Sequence, residues 1–254
     1  MLSLLNKKPT IQTNPYPHFV IDDALPWDLY EQLENEFPEK TLLATEPFDN
    51  GICYRMKSDV LLKPTFESKV WREFAEYHTS AKWFNEVVEL FKPWMPKILQ
   101  HKTYTENELG ARGWTDKNIN ICTDCQVVIH KPITEGTTRT PHIDNPMEMF
   151  AGLLYMPYKN DTSTGGEFQL HAVKDTVKEV NIKAGRQIYD YNNGGVVKTI
   201  PYKKNTFVMF CNNNSNTIHS VSPRRNSTQY RRSVNIIGEF RRGYKVMYKV
   251  SERK

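Results

Sequence analysis

The chain has 254 residues, 39% hydrophobic and 12% aromatic, which is enough apolar material for a packed core and too much for a disordered chain. It holds no run of about 18 apolar residues, so a membrane-spanning helix is not expected. The net charge of +5 is modest and unevenly placed: residues 224–254 hold ten Lys or Arg against two Glu, so this end carries +8 and the remainder −3. Such an end reads either as a nucleic-acid footprint or as a solvated terminal strand with positive flanks, and the second reading is preferred.

The N-terminus, Met1 to Lys8, places its charge after a very short apolar patch, the reverse of a secretory signal, so a cytoplasmic location is expected. Four cysteines fit a reducing compartment better than a disulfide framework. Cys122-Thr123-Asp124-Cys125 is a single CxxC with no second copy, and ordinary thiols near a strand start are expected there.

In chain order, residues 1–14 read as a flexible leader. Pro15 to Asp23 gives a short apolar strand ending in a turn, and Leu29, Leu33 and Phe37 recur every fourth residue on a helix that Pro38 ends. Residues 40–64 are loop-like, with Asp49-Asn50-Gly51 as a turn. Two helical zones follow, Glu67–Tyr77 and Lys82–Leu99, with Pro93 expected to kink or divide the second. Their aromatic stripes read as helix faces that pack on a sheet.

After about residue 118 the period changes to that of strands: Gln126–His130, Ala151–Met156, Gly165–His171, Val177–Ile182, Val196–Pro201, Phe207–Cys211 and Ser233–Phe240, with a loop over Tyr189–Gly195. Helices first and short strands afterwards imply a mostly β, α+β fold, a jelly roll with helices on one face of its major sheet. The expected organisation is one domain over 15–254: a mainly helical support region at 15–117, the jelly-roll core at 118–240 and a basic segment at 241–254.

Within the core, His142-Ile143-Asp144 places an imidazole and a carboxylate two residues apart, on the same side of an extended segment. His219 lies 77 residues later, just after the apolar run Phe207–Phe210. Two histidines and one carboxylate with open positions opposite form the donor set of non-haem Fe(II) oxygenases. Near the end, period-2 alternation turns Arg231, Ser233 and Asn235 to one face and Arg232, Val234 and Ile236 to the other. A guanidinium turned inward needs an anionic partner, and a bidentate carboxylate of a bound small molecule would supply one.

The order His142-Ile143-Asp144, Gly165-Gly166-Glu167, His219, Arg231-Arg232-Ser233, with the Pro17 to Asp22 opening, resembles the Fe(II)- and 2-oxoglutarate-dependent dioxygenases, most closely their prolyl-4-hydroxylase-like branch. The resemblance runs from about Pro15 to Phe240. It implies a double-stranded β-helix, with His142, Asp144 and His219 as iron ligands. By the same resemblance Arg231 binds the distal carboxylate of 2-oxoglutarate, with Ser233 beside it and Tyr155 on the same group. His130 departs from the pattern, since that strand end is commonly a tyrosine, yet an imidazole can donate there too. Which of Arg224, Arg225, Arg231 and Arg232 anchors the cosubstrate stays open.

The implied activity couples oxidative decarboxylation of 2-oxoglutarate by O2 to hydroxylation of an unactivated C–H bond, with ascorbate as a candidate accessory reductant. The substrate is a prolyl residue of a protein or peptide, or a small molecule; neither a membrane nor nucleic acid is the expected partner. For Arg55 and Arg112 a surface role is the preferred reading, the other being that one of them meets an acidic substrate, with Glu46–Arg55 as a lid. Two other readings remain: a cupin-like metalloprotein of different chemistry, and a basic nucleic-acid-binding module that stacks bases on Tyr230, Tyr244 and Tyr248.

Overall fold

A computed structural model describes residues 2–44, 53–136, 139–173, 179–183, 186–189 and 194–248. The expected turn at Asp49-Asn50-Gly51, most of the Glu46–Arg55 lid, the centre of the Tyr189–Gly195 loop and the last six residues lie outside these.

The first half of the chain runs β1 (His18–Ile21), α1 (Trp27–Asn35), α2 (Glu39–Leu43), β2 (Cys53–Met56), α3 (Ser58–Leu61), α4 (Lys69–Thr79), α5 (Ala81–Leu90), α6 (Lys97–Gln100) and β3 (Leu109–Ala111). Ser68 and Ser80 start α4 and α5 by accepting from the backbone N–H of Trp71 and Trp83. The helical zone over Lys82–Leu99 divides after Leu90, as Pro93 led one to expect, because Pro93 and Pro96 cannot donate to a continuing helix. Residues 40–64, expected as loop, contain α2, β2 and α3; β2 is only four residues long and shows no distinctive pattern.

The second half contributes β4 (Ile121–His130), β5 (Glu135–Gly136), β6 (Glu148–Tyr155), β7 (Phe168–Val173), β8 (Glu179–Lys183), β9 (Arg186–Tyr189), β10 (Gly194–Ile200), β11 (Phe207–Cys211), β12 (His219–Val221), β13 (Arg224–Arg225) and β14 (Arg231–Phe240). The larger sheet runs β1-β11-β6-β14-β4-β2, with β3 parallel to β4; a smaller sheet runs β10-β7-β12.

The two faces of the larger sheet do different things. Val127, Ile129, Leu154, Phe207, Met209, Val234 and Ile236 form one core with Tyr30, Trp71, Phe74, Trp83 and Phe84 of the helices. The opposite face packs Ala151, Tyr155, Val208 and Phe210 against Phe168, Leu170 and Ile200 of the smaller sheet. Alternation along each strand produces this division, and it aims Gln126 and His130 of β4 and Arg231, Ser233 and Asn235 of β14 between the sheets.

The CxxC falls inside β4. A spacing of three on a strand puts Cys122 and Cys125 on opposite faces, so they form neither a redox pair nor half a zinc site; both are free and buried.

The expected flexible leader, residues 1–14, is anchored at two points, while Lys7, Lys8, Thr10, Thr13 and Asn14 are exposed. Leu4 is fully buried, its N–H donates to His78 Nε2 at 3.3 Å, and Gln12 pairs with His18. The reason is a hydrophobic seat on α4 that the short apolar patch Leu2–Leu5 fills. Among the described residues, no helix is long and apolar enough to cross a membrane.

Candidate metal and cosubstrate site

His142 and His219 come from remote parts of the chain, yet their backbones pair reciprocally: the N–H of each donates to the carbonyl of the other, both at 3.0 Å. This isolated antiparallel bridge extends the smaller sheet by one short segment. It sets the two rings side by side, with centroids 4.4 Å apart. Asp144, two residues beyond His142, turns its carboxylate to the same point. Ligand atoms of His142, Asp144 and His219 all lie within 4.8 Å of one another, and all three residues are buried.

The tautomers are set by the backbone. His142 Nδ1 is 2.7 Å from the carbonyl oxygen of Thr140, and His219 Nδ1 is 3.1 Å from that of Thr217. A carbonyl only accepts, so each Nδ1 carries a proton, and in the neutral ring Nε2 is then the atom with a lone pair to offer. Those nitrogens face the acid: His142 Nε2 is 3.7 Å from Asp144 Oδ1, and His219 Nε2 is 3.5 Å from Oδ2. Phe168 and Phe210 pack on the His219 ring at 5.3 and 4.6 Å. Tyr248 Oη donates to the Asp144 carbonyl at 3.1 Å, which ties the C-terminal segment to the ligand loop.

The trio opens on a cavity of about 710 Å³, mouth included, between the two sheets. One wall is the inner face of β4, β14 and β6. Register places Arg231 opposite His130, and Ser233 opposite both Val128 and Tyr155. Arg231, Ser233 and Asn235 therefore share the face that lines the cavity, together with Gln126, Val128 and His130.

Arg231 is buried, its guanidinium 5.0 Å from the Tyr155 ring centroid and 4.8 Å from that of Tyr202. Its Nε and Nη2 donate to the Gly166 carbonyl at 3.3 and 3.2 Å. That carbonyl is delivered by Gly165 and Gly166, at φ of +80° and +82°; a Cβ on Gly165 would stand 1.8 Å from the Pro223 oxygen.

The other three arginines considered from the sequence lie elsewhere. Arg232 points to the helical side, where it stacks on Phe37 and Tyr158 and donates to the Met156 carbonyl. Arg224 is buried beside Ser163 and Asp161, and exposed Arg225 pairs with Glu135. None of these three lines the cavity.

Two buried polar atoms near Arg231 have no hydrogen-bond partner within the protein: His130 Nδ1 and Tyr155 Oη. Burial, followed by the charges of Arg231, Arg139, Arg55 and Arg224, pushes the His130 pKa well down, so its ring is neutral. Burial pushes the Tyr155 hydroxyl up to about 12, so it keeps its proton to donate. Orphaned groups of this kind beside a guanidinium fit an incoming oxyanion. The donor set of two imidazoles and one carboxylate likewise fits a divalent iron ion.

Tyr202 and Arg139 had no distinguishing local motif, and only the folded arrangement shows their place. Gln126 was legible by parity, being two and four residues from Val128 and His130 on one strand. The tyrosines offered for base stacking are engaged inward: Tyr230 and Tyr244 pack on the helix-side core, and Tyr248 holds the Asp144 loop.

No family model matches the sequence, and no curated protein does. Solved structures do match. A Pseudomonas putida prolyl-4-hydroxylase has 14% identity and a TM-score of 0.45, over 89% of this chain and 92% of that one. A 2-oxoglutarate–Fe(II) oxygenase family oxidoreductase from Burkholderia pseudomallei has 12% identity and a TM-score of 0.40, over 84% and 89%. Prolyl 4-hydroxylase from Phytophthora capsici has 14% identity and a TM-score of 0.51, over 94% of this chain and 63% of that one. At such identities the likeness is one of architecture, and this chain has the fold of the Phytophthora capsici enzyme.

Proposed function

We propose that this chain is an Fe(II)- and 2-oxoglutarate-dependent oxygenase that hydroxylates an unactivated C–H bond. The observation that carries the reading is the His142, Asp144 and His219 trio, with both Nε2 lone pairs turned to one carboxylate in the cavity that also holds Arg231. The two facing sheets are read as a double-stranded β-helix, and residues 15–254 as one oxygenase domain.

His142, Asp144 and His219 would hold the iron, and Arg231 with Ser233 would receive the distal carboxylate of 2-oxoglutarate. Iron bound there supplies O2 activation coupled to loss of CO2 from the cosubstrate. The protein's own part is positional. The Thr140 and Thr217 carbonyls hold a proton on each Nδ1, which in the neutral ring leaves Nε2 as the ligand atom. Tyr155 and Tyr202 flank the Arg231 guanidinium and shield it from water, where a charge-assisted bidentate contact is strongest. Tyr155 Oη and His130 Nδ1 are placed to donate to the same carboxylate. Phe168 and Phe210 keep the ligand side dry.

The test is succinate formation from 2-oxoglutarate with Fe(II), ascorbate and O2, alongside metal content after anaerobic loading. Wild type should bind about one iron and form succinate, whereas His219→Ala and Asp144→Ala should lose both while remaining folded. Undiminished turnover in those variants would remove the trio from the site. Retention of zinc or manganese with no consumption of 2-oxoglutarate would assign the fold to other chemistry.

A further inference from the structure

We propose that the substrate is a small molecule with an amide edge, an N–H beside a C=O, read by Gln126 and Asn235 on the wall of the cavity that holds the metal trio. The inference rests on the oxygenase reading and adds the substrate class to it. Gln126 lies on β4 and Asn235 on β14, and register sets them opposite each other. Both line the cavity, with Val128, Leu153 and Ile237 as apolar neighbours. Partners across an antiparallel pair hold their Cβ atoms about 5 Å apart, so the two carboxamides stand side by side. Asn235 follows Arg231 by four residues on the same face, about 13 Å along the strand, so the pair stands clear of the cosubstrate anchor.

Hydrogen bonding decides which end each amide offers. Gln126 Nε2 donates to Asp124 Oδ2 at 2.6 Å, and Asp124 Oδ1 accepts from the Ser58 N–H at 3.0 Å. A carboxylate only accepts, so Gln126 turns its nitrogen to Asp124 and Oε1 is the end left over. Gln126 is buried, yet among the described residues nothing donates to that Oε1. Asn235 is half-buried; its side chain accepts at Oδ1 from Ser233 Oγ at 3.4 Å and leaves both Nδ2 hydrogens unused. The charged lining is different. Arg55 and Arg112, read from the sequence as surface residues, are half-buried there, and both they and Arg139 have partners within the protein. What the wall leaves unmet is therefore an uncharged acceptor beside an uncharged donor, which is unfavourable in a confined site until a ligand matches it. An amide edge brings one atom to each: its N–H donates to Gln126 Oε1, and its C=O accepts from Asn235 Nδ2. A carboxylate would set oxygen against Oε1, an ammonium would give Nδ2 nothing to bond, and a hydroxyl has a single oxygen for both ends.

The experiment uses the anaerobic holoenzyme with Fe(II) and 2-oxoglutarate bound. It is titrated by calorimetry with short aliphatic and aromatic compounds in matched series: primary amide, N,N-dimethylamide, carboxylic acid, alcohol and amidine. In at least one series the primary amide should bind about tenfold or more tightly than the dimethylamide, acid and alcohol, a preference that Gln126→Leu and Asn235→Leu each reduce by about tenfold. Asn235→Asp replaces the donor by an acceptor, so in that variant the amidine, which offers N–H at both ends, should overtake the amide. Melting curves show whether each variant is folded, and the half-buried Asn235→Asp keeps the test open if a leucine is not tolerated. Equal binding of amide, dimethylamide and acid in every series overturns the proposal, as does an amide preference that survives all three substitutions. Loss of 2-oxoglutarate binding in the variants also overturns it, because the pair would then hold the cosubstrate. A wild type that binds neither iron nor 2-oxoglutarate would instead fell the oxygenase reading, and the substrate assignment with it.

Discussion

Arg231 and Arg232 are neighbours with opposite fates, and the difference comes from strand alternation alone. One guanidinium enters the cavity; the other is sandwiched by Phe37 and Tyr158 among the helices. The two should therefore fail differently. Arg231→Lys keeps the charge but loses the planar fork, so the KM for 2-oxoglutarate should rise about tenfold or more with iron binding intact. Arg232→Lys should leave that KM unchanged and cost about 1–2 kcal/mol of stability through lost stacking and the Met156 contact, as urea denaturation would read. Interchanged outcomes would mean that the register is wrong. This much was legible beforehand, because a polar side chain at every second position of an apolar strand marks the face that meets something other than core. The identity of the partner was not, because Tyr202 arrives from a loop with no periodicity.

A second residue carries a pH dependence. His78 is fully buried, its Nδ1 2.8 Å from the Phe74 carbonyl and its Nε2 accepting from Leu4, and burial pushes its pKa down to about 3 from 6.5. Between those values the unfolded chain takes up a proton that the folded chain refuses. Stability should thus be complete above about pH 6.5 and fall as pH drops toward about 3, by an amount on the order of 3 kcal/mol at pH ~4. Urea midpoints measured from about pH 7 to pH 4 should decline less in His78→Gln than in wild type.

Elements add constraints that no single side chain supplies. The Gly165-Gly166 pair brings one carbonyl to Arg231, and a methyl group at the first glycine has nowhere to go. Gly165→Ala should cost about 2–4 kcal/mol and weaken 2-oxoglutarate binding together, whereas Gly195→Ala, which meets open space, should do neither. Denaturant titration and cosubstrate calorimetry on the two variants check this. The long strands and the helices with four-residue apolar spacing could be read from the chain because their periods are sustained. β2 could not: Cys53-Tyr54-Arg55-Met56 is too short to establish a period and becomes a strand only because β4 offers an edge to pair with. The leader expected at residues 1–14 is a similar case, since its docking on α4 depends on a surface more than 60 residues away.

At the scale of the molecule, the larger sheet separates two environments. Its helical side is apolar and supports; its inner side carries Arg231 and the polar row of β4 and β14 and faces the trio held by the smaller sheet. The helix-then-strand order of the chain conveyed this layering, because an amphipathic helix and an alternating strand must each bury one side. The distances among His142, Asp144 and His219 could not be conveyed, since 76 residues of intervening chain decide whether the two histidines meet. The basic end also acquires a different meaning in three dimensions. Residues 241–248 lie over the ligand loop, with the Met247 N–H on the Pro146 carbonyl at 2.7 Å and Tyr248 on Asp144. Tyr248→Phe should speed loss of iron to a chelator by a few-fold without altering the 2-oxoglutarate KM, a difference that stopped-flow chelation would show.

The mutual amide–carbonyl pairing of His142 and His219 has one last implication. Many small metalloproteins are shaped by their ion and collapse when it is stripped. Here the scaffold around the binding point is already closed by main-chain bonds that owe nothing to the ion. Dialysis against a chelator should consequently leave the far-ultraviolet circular dichroism unaltered and lower the melting temperature only by what mass action takes away. Reloading should then be rapid, with no refolding lag.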